Sequence, residues 1–343
     1  MSTGLTQREW PAVSVVMPVL NEERHLAVAV DRVLEQGYPG ELEVVLAVGP
    51  SRDRTAQIAA QIEATHPNVR VVANPAGKTP NALNVAIAAA KHDLIVRVDG
   101  HGELTPNYIA RAVEILAETG AVNVGGVMDA QGETSFESAV AWAYTSRLGL
   151  GGSKFHLAES PAGPAETVFL GVFRREALRA VGGFDETMHR AQDWELNHRL
   201  IAAGGLVWFS PELRVTYRPR PSLKALIGQF YSTGQWRREV VRRLPDTASP
   251  RYLAPPVATA GIVAGTLAGL VAAVGVRHRR ALGWLRIGWL APVGYVTLVV
   301  GAAAAARDLD PAVRRWLPLV LAAMHLSWGA GFLVGLPRAH RGR

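Results

Sequence analysis

The 343-residue chain contains no cysteine, which removes disulfides, thiolate zinc sites and cysteine nucleophiles from consideration. Its opening stretch, MSTGLTQREWPAV, lacks the apolar core of a signal peptide, so the first part of the chain is expected to stay in the cytoplasm. The first apolar run leads into PVLNEE rather than Gly-x-Gly-x-x-Gly, which argues against a dinucleotide-dependent oxidoreductase. Acidic residues are scarce between 216 and 251, where Arg218, Arg220, Lys224, Arg237, Arg238, Arg242, Arg243 and Arg251 stand against only Glu239 and Asp246. The whole chain carries a net charge of +7, a balance that suits nucleic acid, an anionic membrane face or phosphorylated substrates. The basic residues gather beside the apolar C-terminal part, so nucleic acid is set aside as a partner.

What is present falls into two halves. In the first, VSVVMP (13–18), LEVVLAV (42–48), VRVVA (69–73) and LIVRVD (94–99) are valine-rich runs with little in/out alternation, the pattern of strands covered on both faces. Helices are expected between them at roughly 22–35, 54–65, 79–91 and 105–118. Strands and helices alternating at this spacing predict an α/β fold around a mostly parallel, doubly wound sheet. There are no internal repeats and no low-complexity segments.

In the second half the composition is apolar. LAPPVATAGIVAGTLAGLVAAVGV (253–276) is uncharged and long enough to cross a bilayer. ALGWLRIGWLAPVGYVTLVVGAAAAA (281–306) is a second span, with Arg286 near one end in a position to snorkel. WLPLVLAAMHLSWGAGFLVGL (316–336) is a third, with His325 inside and tryptophans suited to the interfaces. The bland alternative is a buried helical hairpin in a soluble protein. Ahead of the spans, Leu223, Leu226, Ile227 and Phe230 recur at helical spacing among the basic residues. That pattern predicts an amphipathic helix in the headgroup layer, with an ordinary solvated helix face as the alternative. The domain plan is therefore 1–215, an α/β domain; 216–251, a basic interfacial segment; 252–337, about three spans; and 338–343, a basic tail. One conflict follows. The loop RHRR (277–280) and the tail RAHRGR both favour the cytoplasmic side, whereas three spans after a cytoplasmic domain put both outside. Either one segment does not cross fully or the large domain overrides the loop charges.

Four stretches at strand ends hold the candidate chemistry: Asn21-Glu22-Glu23 opening a helix, Ser51 and Asp53 at the start of the next, Lys78 in a glycine-containing loop, and Asp99-Gly100-His101. In a parallel sheet all four loops emerge on one edge. Each has an ordinary reading: helix caps for Asn21 and Ser51, a surface lysine for Lys78, a turn for Asp99-Gly100. Together, one cation, several carboxylates and helix N-termini suit a nucleoside diphosphate and its metal.

The segments PVLNEE, SRDRT, GKTPNALNVAI, VDGH, GVFRREALRAVGGFDE and QDWELNHRL resemble, in order and spacing, the family 2 glycosyltransferases, inverting enzymes of Rossmann-like GT-A fold. The resemblance covers about residues 12–245. RVDGHGEL, QFYSTGQWRREVVRRLP, LAPP and MHLSWGAGFL most resemble the membrane-anchored succinoglycan-type glucosyltransferases of bacterial exopolysaccharide assembly. By position, the resemblance implies that Pro18, Glu22 and Asp53 contact the donor nucleoside and Lys78 the nucleotide side of the site. It implies that Asp99 holds a divalent cation, Mn2+ or Mg2+, and that Asp193 is the general base. Three departures stand out. The usual Asp-x-Asp is Asp99-Gly100-His101, so His101 is either a second ligand, favouring manganese, or turned away. Val48-Gly49-Pro50 replaces the acidic residue ahead of Ser-x-Asp-x-Thr, leaving the base, usually uridine, open. The usual Glu-Asp pair is Gln192-Asp193. GQWRREVVRR (234–243) echoes the Gln-x-x-Arg-Trp element of processive members. In that reading Trp236 stacks on a sugar, and Arg237 or Arg238 reaches the donor or a lipid pyrophosphate; a basic interfacial helix is the other. His156, His189 and His198 lack metal-ligand spacing and are left structural.

The function these readings imply is a multi-pass enzyme of the bacterial cytoplasmic membrane with its catalytic domain on the cytoplasmic side. It would move a sugar from a nucleotide sugar, UDP-linked, to a polyprenyl-phosphate- or pyrophosphate-linked glycan at the lipid bilayer. The alternatives are direct transfer to polyprenyl phosphate and, from another class, a nucleotide-binding membrane scaffold without catalysis. A processive synthase is disfavoured because three spans enclose little pore.

Overall fold

The computed structural model describes residues 10–275 and 280–337; the basic tail and all but the last residue of the RHRR loop lie outside the described residues. The four valine-rich runs form strands β1 (Val13–Val19), β2 (Leu42–Val48), β3 (Val69–Ala73) and β4 (Leu94–Arg97). They pair in parallel in the order β3-β2-β1-β4, with Val13 opposite both Leu42 and Leu94 and Val44 opposite Val69. Five further strands complete the sheet: β5 (Glu103–Leu104), β6 (Asn123–Ala130), β7 (Gly163–Pro164), β8 (Phe169–Arg174) and β9 (Val207–Tyr217). Beyond β4 the order runs β8-β6-β9-β5, with β7 on β9. There the pairing of β8 with β4 and β6, and of β9 with β5 and β7, is antiparallel. The sheet is thus mixed, with its parallel half where the sequence predicts it.

Helices cover both faces. On one, β1 side chains Val13, Val15, Met17 and Val19 pack with α1 (Leu26–Leu34) and α4 (Tyr108–Thr119), through Leu26, Val30, Ile109 and Ala112. On the other, Val16 and Val45 pack with Leu83 and Ala86 of α3 (Thr79–Ala89) and with Leu196 and Leu200 of α7 (Gln192–Ala202). The remaining helices here are α2 (Thr55–Thr65) and α6 (Arg175–Ala180). Period-2 alternation sends successive strand residues to opposite faces, so an unbroken apolar strand feeds two cores. Burying both faces is the main stabilising contribution to this half.

The chain divides into two compact units. One takes the described residues up to Asp129 together with Ser153–Tyr217; the other takes Ala130–Gly152 and the chain from Arg218 onward. The second unit contains α5 (Ser135–Thr145), α8 (Leu223–Arg243), α9 (Pro250–Gly275), α10 (Leu290–Ala305), α11 (Pro311–Arg314) and α12 (Leu317–Val334). Helix α5 opens on a capping box, Thr134 accepting from the Glu137 N–H and Glu137 accepting from the Thr134 N–H. Three helical stretches, Pro250–Val274, Trp284–Ala305 and Pro311–Val334, are long and apolar enough to cross a membrane. Val257, Leu267, Leu290 and Val296 on the first two are exposed, as lipid-facing residues are.

The apolar stripe of α8 is covered in part within this unit, with Ile227 left exposed. Leu226 and Phe230 are buried, and the Phe230 ring lies 5.8 Å from that of Tyr144 on α5 and 6.2 Å from that of Trp328 on α12. The backbones of α8 and α12 approach closely at two glycines. A Cβ on Gly234 would fall 2.0 Å from the Trp328 carbonyl oxygen, and one on Gly331 2.0 Å from that of Tyr231. Arg238 donates to the Leu333 carbonyl at 2.6 Å and Gln235 to that of Gly335 at 2.9 Å, satisfying carbonyls at the end of α12.

Candidate active site

The four strand-end loops come together at the carboxyl edge of β1–β4. The Asn21, Glu22 and Glu23 N–H groups donate to the side chains of Ser51, Thr55 and Asp53 at 3.0, 2.7 and 3.3 Å, and the Asn21 side chain accepts from the Arg52 N–H at 2.8 Å. This zip explains a departure from expectation: the helix read from residue 22 begins only at Leu26, with His25 as its N-cap. Asn21 is left-handed, φ 56°, a conformation that Asn tolerates better than most residues. The capping expected of Asn21 and Ser51 is likewise absent; both side chains serve the loop-to-loop contact. Asp53 accepts from the Thr55 hydroxyl and N–H. The Thr55 hydroxyl, and then the backbone donors, hold the Asp53 carboxyl below the usual carboxylate range.

The third and fourth loops close on the first two. A Cβ on Gly77, itself left-handed at φ 61°, would lie 3.0 Å from Pro50, and one on Gly100 would lie 3.0 Å from Glu22 and 3.4 Å from the Pro18 carbonyl oxygen. Lys78, exposed, is the residue before α3. Its carbonyl accepts from Asn74 at 3.2 Å. His101 Nδ1 and Glu22 Oε1 are 2.7 Å apart. Leu170, at the start of β8, has φ 43°, a strained backbone for a bulky residue; its carbonyl accepts from Tyr108, and its side chain neighbours Gly102.

Asp193 reaches the same edge from α7. The N-cap of α7 is Ala191, with no side-chain cap bond, so Asp193 does not cap the helix. Instead its carboxylate accepts from Nη1 of Arg97, the last residue of β4. Arg97 also donates from Nε and Nη2 to Asp99 Oδ1, at 3.2 and 3.0 Å. One guanidinium therefore links Asp99 to Asp193. Partial burial raises the Asp193 carboxyl above its ordinary value and the Asp99 charge adds to the rise, while Arg97 offsets part of it. Helix α7 is braced behind the site. Arg199 donates to the Gly183 carbonyl at 2.8 Å and pairs with Glu195 at 2.6 Å, and Asn197 accepts from the buried Asn123 amide at 2.7 Å.

The structure thus gathers Pro18, Glu22, Asp53, Asp99, His101 and Asp193 with the Lys78 loop in the first unit. Trp236 and Arg237 belong to the second unit, where both are buried, Arg237 lying 3.8 Å over the Tyr252 ring. Sequence reasoning passed over Arg97 and Asn84. The latter's amide donates to the Phe184 carbonyl and Glu186 and accepts from the Phe184 N–H, tying α3 to the loop ahead of α7. Among the described residues no three His, Asp or Glu side chains form a ready-made metal cage. The Asp99 carboxylate fits as one ligand of a divalent cation completed by phosphate oxygens of a bound ligand, while His101 is engaged with Glu22 through Nδ1.

A mixed sheet with its parallel half at β1–β4, and with carboxylates and a lysine loop at the carboxyl edge of those strands, makes this an α/β domain of the GT-A type. The same fold occurs in a mannosyltransferase from Pyrobaculum calidifontis solved in complex with GDP-Man and Mn2+. That structure is 20% identical, with a TM-score of 0.58 over 96% of this chain and 88% of the other. Residues 14–182 match the family described as Glycosyl transferase family 2. The succinoglycan biosynthesis protein ExoA of Rhizobium meliloti is 33% identical over 93% of both chains. A glucuronosyltransferase of Methanococcus voltae is 25% identical over 67% of this chain and 74% of its own. The chain belongs to family 2 of the glycosyltransferases.

Proposed function

We propose that the protein is an inverting, metal-dependent family 2 glycosyltransferase that elongates a lipid-linked glycan at the cytoplasmic face of a bacterial membrane. The observation that carries the reading is the meeting of Asp99 and Asp193 across one guanidinium, beside four loops suited to a nucleoside diphosphate. In this reading Pro18, Glu22 and Asp53 border the nucleoside and Lys78 lies toward the diphosphate. Asp99, with or without His101, seats a divalent cation, Mn2+ or Mg2+, which supplies charge stabilisation to the leaving diphosphate. Asp193 Oδ takes the proton from the attacking acceptor hydroxyl as the new bond forms at the anomeric carbon. The bond from that carbon to the diphosphate oxygen breaks, its electron pair leaves with the nucleoside diphosphate, and the configuration inverts. The upward shift of Asp193 brings a carboxylate nearer the working pH of a general base.

Several observations favour a lipid-linked acceptor. Three apolar stretches of membrane-spanning length follow the domain, and keeping the acceptor's tail in the bilayer confines it near the site. The relative from Methanococcus voltae is named a dolichyl N-acetyl-alpha-D-glucosaminyl phosphate 3-beta-D-2,3-diacetamido-2,3-dideoxy-beta-D-glucuronosyltransferase, and the Rhizobium meliloti relative is a succinoglycan biosynthesis protein. These names favour a sugar-bearing lipid over bare polyprenyl phosphate, and the intact site favours catalysis over a scaffold. UDP is the proposed carrier. We assign residues 1–215, apart from 130–152, which fold with the second unit, to the catalytic domain, 216–251 to a basic segment beside the bilayer that includes Trp236 and Arg237, and 252–337 to the membrane part.

The test is nucleotide release by detergent-purified protein across a panel of nucleotide sugars, with membrane lipid extract as acceptor. Release with one donor, abolished by chelator and lowered on the order of 10²- to 10⁴-fold by Asp193→Asn, supports the reading. Unchanged turnover in Asp193→Asn, or turnover indifferent to chelator, overturns it.

A further inference from the structure

Arg97 sits in IVRVD, where it reads as one polar residue in an apolar strand. Its side chain is 5% exposed. Strand geometry puts residues two apart on one face, so Arg97 and Asp99 rise together from the end of β4. Both Nε and Nη2 engage a single oxygen of Asp99, Oδ1. The third donor, Nη1, crosses to Asp193, 96 residues further along the chain. The guanidinium carbon lies 6.0 Å from the centroid of the Phe184 ring, and Phe184 is itself anchored by Asn84. A planar fork with donors on both sides can bind two carboxylates at once; an ammonium is a point charge and cannot reproduce the spacing.

We propose that Arg97 is a positioning residue that sets the Asp193 carboxylate for proton abstraction while occupying one oxygen of Asp99, so that base and cation seat are held by one guanidinium. This rests on the roles given to Asp193 and Asp99 above. It has two separable consequences. Loss of the fork lets Asp193 swing on its side-chain torsions, which damages the chemical step. Loss of the positive charge leaves Asp99 uncompensated, which strengthens binding of a divalent cation there, since a fixed cation opposes a second one. A residue that merely packs would weaken both together.

The experiment uses the full chain in detergent with two readouts. Binding of Mn2+ alone is followed by the electron paramagnetic resonance signal of the free ion, without substrates. Nucleotide release with lipid acceptor gives kcat and the donor KM. For Arg97→Gln, kcat falls about 10²-fold, the scale of a misplaced catalytic group, the donor KM stays within about threefold, and Mn2+ binds about tenfold tighter. For Arg97→Lys, charge is kept and geometry lost, so Mn2+ affinity stays near that of the unaltered protein while kcat remains low. Wild-type kcat in Arg97→Lys overturns the inference, as does weaker Mn2+ binding in Arg97→Gln. Should the glutamine variant fail to fold, the lysine variant decides alone by the same two readouts. Asp193→Asn and Asp99→Asn run alongside. Full turnover in the first, or unaltered Mn2+ binding in the second, removes the site assignment itself. If both behave as assigned and the Arg97 variants do not, only the positioning role falls.

Discussion

At the scale of single residues, the polar groups beneath the site are committed to particular partners. Asn123 and Asn197, both buried, share a hydrogen bond, and Asn197 also donates to Thr167 at 2.9 Å. Asn197→Leu should therefore cost about 1–3 kcal/mol, because it strands the Asn123 amide away from water; chemical denaturation reads the loss. At the opposite end of β2, Glu43 is buried, accepting from the Ser14 hydroxyl and Lys91 N–H at 2.6 Å each and pairing with Arg70 at 3.6 Å. Burial alone would raise its carboxyl, but these donors and the nearby positive charge hold it below the usual value. A carboxyl lower in the folded than in the unfolded state stabilises above the unfolded value, near 4.3 for Glu, and that contribution is lost as pH falls toward the folded one. Thermal melts should show the protein weakening below about pH 5, with a shallower slope in that range for Glu43→Gln. Residues of this kind were only half legible in the sequence. Asp99 and His101 announce themselves by breaking an apolar run, whereas Arg97 looks like ordinary strand decoration. Its meaning depends on a carboxylate 96 positions away, and no local pattern encodes that reach.

Among the elements, the parallel strands were the most legible. A strand buried on both faces has to be apolar along its length, and β1, β2 and β3 lie within a residue of the valine-rich runs, with β4 ending two residues short of its run. Helix starts were less so. Residues 21–25 follow a helical composition, yet the N–H groups of Asn21, Glu22 and Glu23 are taken by Ser51, Thr55 and Asp53, so tertiary bonding overrides the local preference. The antiparallel extension β5–β9 is not legible in the sequence, because its strands, two residues long in β5 and β7 and eleven in β9, lack the repeating strand–helix rhythm. In the second unit, the α8–α12 contact depends on two glycines whose absent Cβ atoms let backbone meet backbone. Gly331→Val should force the helices apart, lowering the midpoint of detergent thermal unfolding by several degrees for each 1–2 kcal/mol lost. Gly228, which has open space around its Cβ position, should tolerate Gly228→Ala in the same assay, with a gain in helix propensity of up to about 1 kcal/mol.

For the molecule as a whole, composition announces two halves, the apolar one from about residue 253, whereas the second unit resumes already at Arg218. What composition did not announce is that the second unit also claims Ala130–Gly152. That segment has the same mixture of apolar and polar residues as its neighbours, so nothing in its hydropathy marks it as belonging elsewhere. The polypeptide consequently passes between the units three times, after Asp129, after Gly152 and after Tyr217. For anyone wishing to study the catalytic half in solution, this threading dictates where the gene must be edited. A stop codon after Tyr217 retains α5 but discards α8 and α12, leaving buried Val140, Ala143 and Tyr144 without the surfaces that shield them; such a product should aggregate on size-exclusion chromatography. Ending at the same residue while exchanging 130–152 for a flexible Gly/Ser linker of similar length should yield a monodisperse nucleotide-binding domain. Evolution of this protein would face the same bookkeeping: the two halves cannot be traded between relatives by a single crossover.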